Sequence, residues 1–509
     1  MAKKTLNSGQ IAIVMVVLTA SAKILGLVRE LLLAHFYGAS IVIDAFCMAQ
    51  DIPDTVFATV IQLIGTAFLP IYSRKVEQEG SLAGNKFTSN VYTFLLSAAA
   101  VMIGLCVIFP GAFVKLFAPG FSQEAASLTK VFLQIAVFTI LGHVTIAIFE
   151  PYLRYNGSYL LPVISGFFQS VLVIGSAYLS FVTTPSLLIL GVPVGTILQA
   201  IVLIWFAAKT KAYRYTPGIQ FRESIKPVFA LALPVLFSSL AFRLNTFFDR
   251  MLASGFDAGS ISALRYGHLI HGLISTFSYS LIGTLVYPKY NKLAAKEDYK
   301  GLSELSGQSN NYSSVLTIPI ALGCMLFSVP LVRLIFERGA FDSTATAVTA
   351  SVFFWYALSL PFSGMCTLIC HVCYSLQDLK MPVFCSFVSV GTNLGLNFLL
   401  SHFMGVQGLA LATTVSAVVH LILLIILFKR RHKNITLFAP FKYTLFIILG
   451  SILSVGSSYG IYQVLGDTTL NFILAVLIAV VLYIGFVLVF KVIDPAIVKE
   501  TLKLKGKKK

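Results

Sequence analysis

Charge is scarce in this chain: 11% of its 509 residues are charged against 57% hydrophobic, and the mean hydropathy is +0.87. A soluble domain carries roughly a quarter charged residues, so a water-exposed globular fold is excluded. The polar segments between apolar runs are short and leave no room for a soluble domain of ordinary size. Several chemistries are missing as well. Gly80-Ser81-Leu82-Ala83-Gly84-Asn85-Lys86 only superficially looks like a phosphate loop, because it lacks the Gly-Lys-Ser/Thr ending. No Gly-x-Ser-x-Gly elbow occurs, and no sizeable loop bears an acidic catalytic cluster. Cys366 and Cys370-His371-Val372-Cys373 have no second ligand pair of comparable spacing, so these thiols read as helix packing rather than zinc ligands. These absences argue against an enzyme and against ATP hydrolysis, and leave transport driven by an ion gradient, a membrane potential or substrate flow.

Apolar runs of about 20 residues, each able to cross a hydrocarbon core of roughly 30 Å as a helix, recur along the whole chain. Their spacing predicts an all-α polytopic membrane protein of about fourteen transmembrane helices, and their length excludes a transmembrane β-barrel. The net charge of +17 would suit nucleic acid, but its placement points to a membrane. Most of the 37 Lys and Arg fall at the N-terminus, in loops after even-numbered helices, and at the C-terminus. By the positive-inside rule both termini are cytoplasmic. The tail Lys503, Lys505, Lys507, Lys508, Lys509 then reads as a topology signal, or as a lipid-surface contact. Lys3, Lys4 and Ala20-Ser21-Ala22 resemble a signal peptide, yet the helical pattern continues past Lys23 to Phe36, so the segment is read as an uncleaved first helix.

The sequence is also duplicated. Gly65-Thr66-Ala67-Phe68-Leu69-Pro70-Ile71-Tyr72 recurs as Gly283-Thr284-Leu285-Val286-Tyr287-Pro288-Lys289-Tyr290, and the later prolines Pro110 and Pro162 have counterparts in Pro330 and Pro382. The expected organisation is an N-lobe at 1–208 (helices 1–6), a basic linker at 209–224, a C-lobe at 225–429 (helices 7–12), and helices 13 and 14 with a basic tail at 430–509. An even number of helices per repeat makes the lobes parallel repeats, as in rocker-type transporters.

A charge at the centre of a transmembrane helix costs about 2.5–3.5 kcal/mol on insertion scales, so each one requires a reason. Helix 1 carries Lys23, Arg29 and Glu30; helix 2 carries Asp44, Asp51 and Asp54; helix 7 carries Arg243, Asn245, Asp249 and Arg250. In helix 8, Arg265, His268 and His271 form a stripe. One reading is mutual neutralisation, with Arg29 and Arg250 pairing with Asp44 and Asp249 and Lys23 snorkelling. The other is that Lys23, Arg29 and Arg265, on corresponding helices of the two repeats, line a positive cavity for a di-anionic headgroup, since guanidinium groups match phosphate oxygens. His268 and His271 are either proton-coupling groups or structural. Asn393 and Asn397, one turn apart, join Asp249 and Thr413 as candidate oxygen ligands for a small cation, or act as helix–helix glue.

Several stretches carry a family resemblance. They are Ser21 to Glu30 (SAKILGLVRE), Asp44-Ala45-Phe46, Asn245 to Ser254 (NTFFDRMLAS), Leu331 to Asp342 (LVRLIFERGAFD), Tyr374 to Asp378, Asn393 to Leu400, and Gly408 to Thr413. On these the chain resembles the MurJ (MviN) lipid II flippases of the multidrug/oligosaccharidyl-lipid/polysaccharide exporter superfamily. The resemblance implies a transporter of the bacterial cytoplasmic membrane that moves undecaprenyl-pyrophosphate-linked peptidoglycan precursor to the outer leaflet by alternating access, in the service of cell-wall synthesis. It implies a cationic V-shaped cavity between two lobes and a groove on the last two helices for the polyprenyl tail. Lys23 and Arg29 stand where the family has arginines, and Asp44 matches its acidic residue in helix 2. Together with Arg250, Arg265 and His268 they form the expected substrate site. Asp249, Asn393, Asn397 and Thr413 fall where some members bind sodium, with Asn397 in place of an acidic ligand. No cofactor is expected beyond Na+ or H+ as coupling ion, and the partners are lipid II and membrane lipids, not nucleic acid. The chain departs from the family pattern between Asp54 and Ile64, which hold no basic residue, and at Leu269, near which the helix-8 arginine would fall. Two alternatives therefore stay open: a flippase for another polyprenyl-linked oligosaccharide, such as a capsule or teichoic acid precursor, and a cation-coupled drug antiporter.

Overall fold

The computed structural model describes residues 8–209 and 213–490. Lys3, Lys4, the linker residues 210–212, the basic tail from 491 and the side chain of Arg243 lie outside the described residues. Within them the chain is helical, with no strand. Hydrocarbon offers the backbone no hydrogen-bond partner, so each segment satisfies its own peptide groups. Among the described residues eight helices are long and apolar enough to cross a membrane, or eleven if each of three bent pairs is one span. The fourteen expected spans need three more. Helices lie where those three are expected, at Ser8–Tyr37, at Ile41–Pro53 continued by Thr59–Glu79, and at Lys226–Ala253. These are the helices that carry Lys23, Arg29, Asp44, Asp51, Asp54, Asp249 and Arg250.

The duplication reappears as matched distortions. A single π turn, Asp54–Ala58, precedes the Gly65 motif, and another, Thr276–Ser280, precedes the Gly283 motif. The pair Gln123–Ala136 and Thr139–Tyr155 bends by 40°, and its counterpart, Ser343–Leu358 and Leu360–Ser375, bends by 41°. Each bend has a local cause. Thr139 Oγ1 donates to the Ala136 carbonyl at 2.6 Å, and Pro361 supplies no N–H in the first turn of the later helix. Each half also has a short amphipathic helix after its third long one, Pro110–Phe117 and Ser328–Phe336, the second turned 81° from the helix before it.

The chain divides into two compact units, Met1–Ser262 with Arg338–Asp342, and Ala263–Glu337 with Ser343–Lys509. The first has a core in which Phe68 stacks on Tyr72 and Phe87 at 5.4 and 5.5 Å, with Phe149 and Tyr152 buried beside them. Its linker lies along the helix Ser81–Ile108: the Tyr213 and Tyr215 hydroxyls meet Ser89 and Thr93 at 3.2 and 2.9 Å. The core of the second unit gathers Tyr290, Leu302, Cys366, Cys373, Cys385 and Phe428, so these three thiols pack as small apolar groups. Tyr72 and Tyr290, the last residues of the two motif copies, are each buried in the core of their own unit.

The last two helices, Phe441–Leu465 and Thr469–Val489, belong to the second unit and contain no acidic residue. Tyr483 donates to the Val315 carbonyl at 2.9 Å within a cluster of Val315, Ile447 and Val487. At the turn between them Arg333 bridges to Asp467 at 2.5 Å, and the Tyr462 hydroxyl donates to the same carboxylate. Arg333, then Tyr462, hold the Asp467 carboxyl below the usual range.

Candidate substrate and ion sites

In the first unit Asp44 and Asp51 have partners that sequence spacing does not reveal. Arg29 binds its own neighbour, Glu30, at 2.8 Å, and Glu30 is nearly fully buried. Lys23, two turns earlier, is exposed. Arg250 pairs with Asp51, across 199 residues of sequence. Arg29 is thus held by Glu30 rather than by the Asp44 expected for it, and Arg250 is bound by Asp51, an acid not expected as its partner. Asp249 is itself buried.

Asp44 is engaged by backbone. Its two oxygens accept the N–H groups of Gly259 and Ser262, each at 2.7 Å, at the start of the helix Ser260–Ser275. The first N–H groups of a helix have no partner within it and carry partial positive charge, so a buried carboxylate is well placed there. Gly259 makes the approach possible: it has φ +93°, and a Cβ there would lie 2.6 Å from the Ala39 carbonyl oxygen. The segment Arg338–Asp342, part of the most family-specific stretch of the sequence, packs into the same unit. Ala340 N–H donates to the His35 carbonyl at 2.8 Å, and Gly339 (φ +61°) sits against that carbonyl.

Beyond Asp51, at the π turn, lies a cavity of about 150 Å³ lined by Met48, Asp51, Asp54, Thr55, Thr246 and Arg250 together with Phe117 and Phe247. The imidazole Nδ1 of His143, on the helix Thr139–Tyr155, stands 3.6 Å from Asp54 Oδ1. Sequence reasoning passed over His143, a single histidine in an apolar stretch; the only available signal was that Asp54 has no basic residue near it on its own helix.

In the second unit Arg265 is half-buried and His268 exposed, both on the helix that Asp44 caps. The His268 and His271 rings are 6.0 Å apart and both lie about 6 Å from Tyr356. His271 Nε2 is 3.0 Å from the Ser359 hydroxyl, which gives it a structural partner. The oxygen ligands expected for a cation divide between the units. Asn393, Asn397 and Thr413 form a chain in the second unit: Asn397 Nδ2 donates to Asn393 Oδ1 at 2.8 Å, and Asn393 Nδ2 to Thr413 Oγ1 at 3.3 Å. Asp249 belongs to the first unit. At the end of the Asn-bearing half, Asp378 accepts from Arg431 at 2.9 and 3.0 Å. Burial works to raise the Asp378 carboxyl, but Arg431, the Met381 N–H and His432 together hold it below its ordinary value.

These features are shared with known proteins. A family model described as "Lipid II flippase MurJ" matches residues 33–482. A curated relative from Thermosipho africanus, "Lipid II flippase MurJ", is 26% identical over 481 residues, covering 93% of this chain and 94% of its own. The solved structure "Lipid II flippase MurJ, inward closed conformation" superposes with a TM-score of 0.82 at 25% identity, over 94% of this chain and 98% of that one. A multidrug resistance MATE family transporter of the MOP superfamily, in an inward-facing conformation, reaches 0.66 at 11% identity, which is a likeness of fold.

Proposed function

The chain belongs to the lipid II flippase MurJ family, and on that premise we propose that it carries lipid II from the inner to the outer leaflet of the bacterial cytoplasmic membrane by alternating access. The family match over residues 33–482 is the observation that carries this reading. The protein is a transporter, not an enzyme. In this reading both termini face the cytoplasm, which the placement of Lys and Arg supports.

Lys23, Arg29, Arg250, Arg265 and His268 are the proposed pyrophosphate contacts. Arg29 and Arg250 are held by Glu30 and Asp51, so they arrive at the substrate paired rather than as bare cations. A pyrophosphate offers more oxygens and more charge than one carboxylate, and bidentate guanidinium–phosphate geometry lets it take over these pairs. Carboxylates left in place would then help release the lipid. Asp44 positions the helix that bears Arg265 and His268 rather than touching the lipid. The coupling ion is a monovalent cation, Na+ or H+, with Asp249, Asn393, Asn397 and Thr413 as the candidates for Na+. An inward-negative potential would favour return of the empty cationic protein toward the inside.

Purified full-length protein in liposomes, with a fluorescent lipid II analogue and a membrane-impermeant quencher, tests the substrate. Movement of lipid II that a neutral polyprenol does not compete is expected. Equal movement of ordinary phospholipid, or none of lipid II, would overturn the assignment.

A further inference from the structure

We propose that Asn90 and Asn310 are matched anchors, one in each repeat, that tie the segment leaving the repeat to one of its own long helices and so position the helices that follow. The proposal rests on the transport reading only for its effect on lipid II. The two asparagines are counterparts in the duplication. The same spacing of 220 residues separates Asn90 from Asn310, Pro110 from Pro330, and Thr216 from Thr436.

In the first unit Asn90 is buried on Ser81–Ile108, and its Nδ2 donates to the Ser224 hydroxyl at 3.2 Å. One residue earlier, Ser89 Oγ accepts the Thr216 N–H at 3.1 Å. The Tyr213 ring packs against Phe149 and Tyr152, at 5.0 and 5.7 Å. In the second unit Asn310 is buried on Tyr299–Leu326, and its Nδ2 donates to the carbonyls of Leu437 at 2.9 Å and Ser306 at 3.1 Å. Ser303 Oγ accepts the Thr436 N–H, also at 3.1 Å. Ile435 and Leu437 are buried in the core of that unit. The approach is close in both copies: a Cβ on Gly218 would lie 3.0 Å from Asn90 Oδ1, and one on Gly307 would lie 3.2 Å from the Ala439 nitrogen.

A buried amide costs more than an apolar side chain of its size unless it is hydrogen-bonded, and here it stands at the same register twice. What it fixes is the entry of the next helix. Ser224 lies two residues before Lys226–Ala253, and Leu437 four before Phe441–Leu465, the first of the last two helices. Arg250 stands about 36 Å along the former at about 1.5 Å per residue, so a loose entry that allowed a tilt of about 10° would displace it by about 6 Å. That is about twice the length of a guanidinium–phosphate hydrogen bond. Asn90 and Asn310 are thus positioning residues, which act through the helices they seat. Their partners differ in one respect. The Ser224 hydroxyl can donate as well as accept, whereas the Leu437 carbonyl only accepts. Asn90→Asp therefore keeps a bond by reversal of the hydroxyl, while Asn310→Asp sets a carboxylate against two carbonyl oxygens.

The test uses hydrogen–deuterium exchange of the full chain in lipid nanodiscs, which does not depend on lipid II. Loss of one such hydrogen bond is expected to speed exchange about fivefold, in residues 213–220 for Asn90→Ala and in residues 432–440 for Asn310→Ala, with the other segment within about twofold of wild type. Asn90→Asp is expected to stay within about twofold of wild type, and Asn310→Asp to match Asn310→Ala. Ser89→Ala and Ser303→Ala, which remove only the acceptor side chain, are expected to loosen the same two segments if an alanine at either asparagine prevents folding. In liposomes with a fluorescent lipid II analogue, Asn90→Ala and Asn310→Ala are expected to slow transfer at least about tenfold, and Asn90→Asp to keep it within about twofold. Exchange that rises in both segments alike, or in neither, would overturn the anchors. Local loosening with unimpaired transfer would overturn their positioning role. If the exchange pattern holds but the wild-type chain moves no lipid II, the anchors stand and the substrate assignment falls.

Discussion

Replacing Asp44 by Asn keeps the shape of the side chain and removes its charge. The wild-type carboxylate accepts two N–H groups at 2.7 Å where the helix Ser260–Ser275 begins. An Asn oxygen retains one of these bonds, and its amide NH2 then faces the other donor. The loss is one charge-assisted hydrogen bond, about 1.5–3 kcal/mol, plus the interaction of a charge with the helix end, about 0.3–1 kcal/mol. Asp44→Asn should therefore cost roughly 2–4 kcal/mol, and Asp44→Ala, which leaves both buried donors without a partner, more than that. Thermal unfolding of purified protein in one fixed detergent reads the difference, and the melting temperature should fall by several degrees in the order wild type, Asn, Ala. An Asp44→Asn protein that melts within about 1 °C of wild type would refute the capping role.

Arg250→Ala should destabilise by about 2–3 kcal/mol, below the value for a fully buried pair because both partners keep some solvent, and the double change with Asp51→Ala should cost less than the two single changes combined. Additive losses in unfolding measurements would show that the pair does not act as a unit. Gly259→Ala forces an L side chain into φ +93° against the Ala39 carbonyl and should cost about 1–3 kcal/mol; an unchanged melting temperature would mean the turn relaxes freely. Asp467 and Asp378 have folded values below the unfolded carboxylate value, so they stabilise above about pH 4 and lose that contribution as pH falls through their folded values. Acid titration of the melting temperature should therefore be shallower in Asp467→Asn and Asp378→Asn, and curves parallel to wild type would count against these pairs.

Apolar run length was enough to read an all-helical membrane protein, because hydrocarbon permits few other solutions. The repeat was legible too: Tyr72 and Tyr290 end matching motifs and sit in matching cores, and the paired bends of 40° and 41° follow the same duplication. Charge partners were not legible. Helical spacing tells which residues share a face of one helix but not which faces meet, so the pairing of Arg250 with Asp51, 199 residues away, could not be foreseen. Asp44 looked like a cation partner because its actual partners, two backbone N–H groups, have no signature in side-chain chemistry. Arg338–Asp342 stood out as specific in sequence, yet only the structure shows the His35 carbonyl it packs against.

The most direct test of the proposed transport is replacement in a bacterium depleted of its own lipid II flippase, with lipid II exposed at the outer surface as the readout. The chain should restore exposure, and Lys23→Ala, Arg29→Ala and Arg265→Ala should each lose it while still reaching the membrane. Failure to restore exposure despite good membrane expression would contradict lipid II as the cargo and point to another polyprenyl-linked glycan.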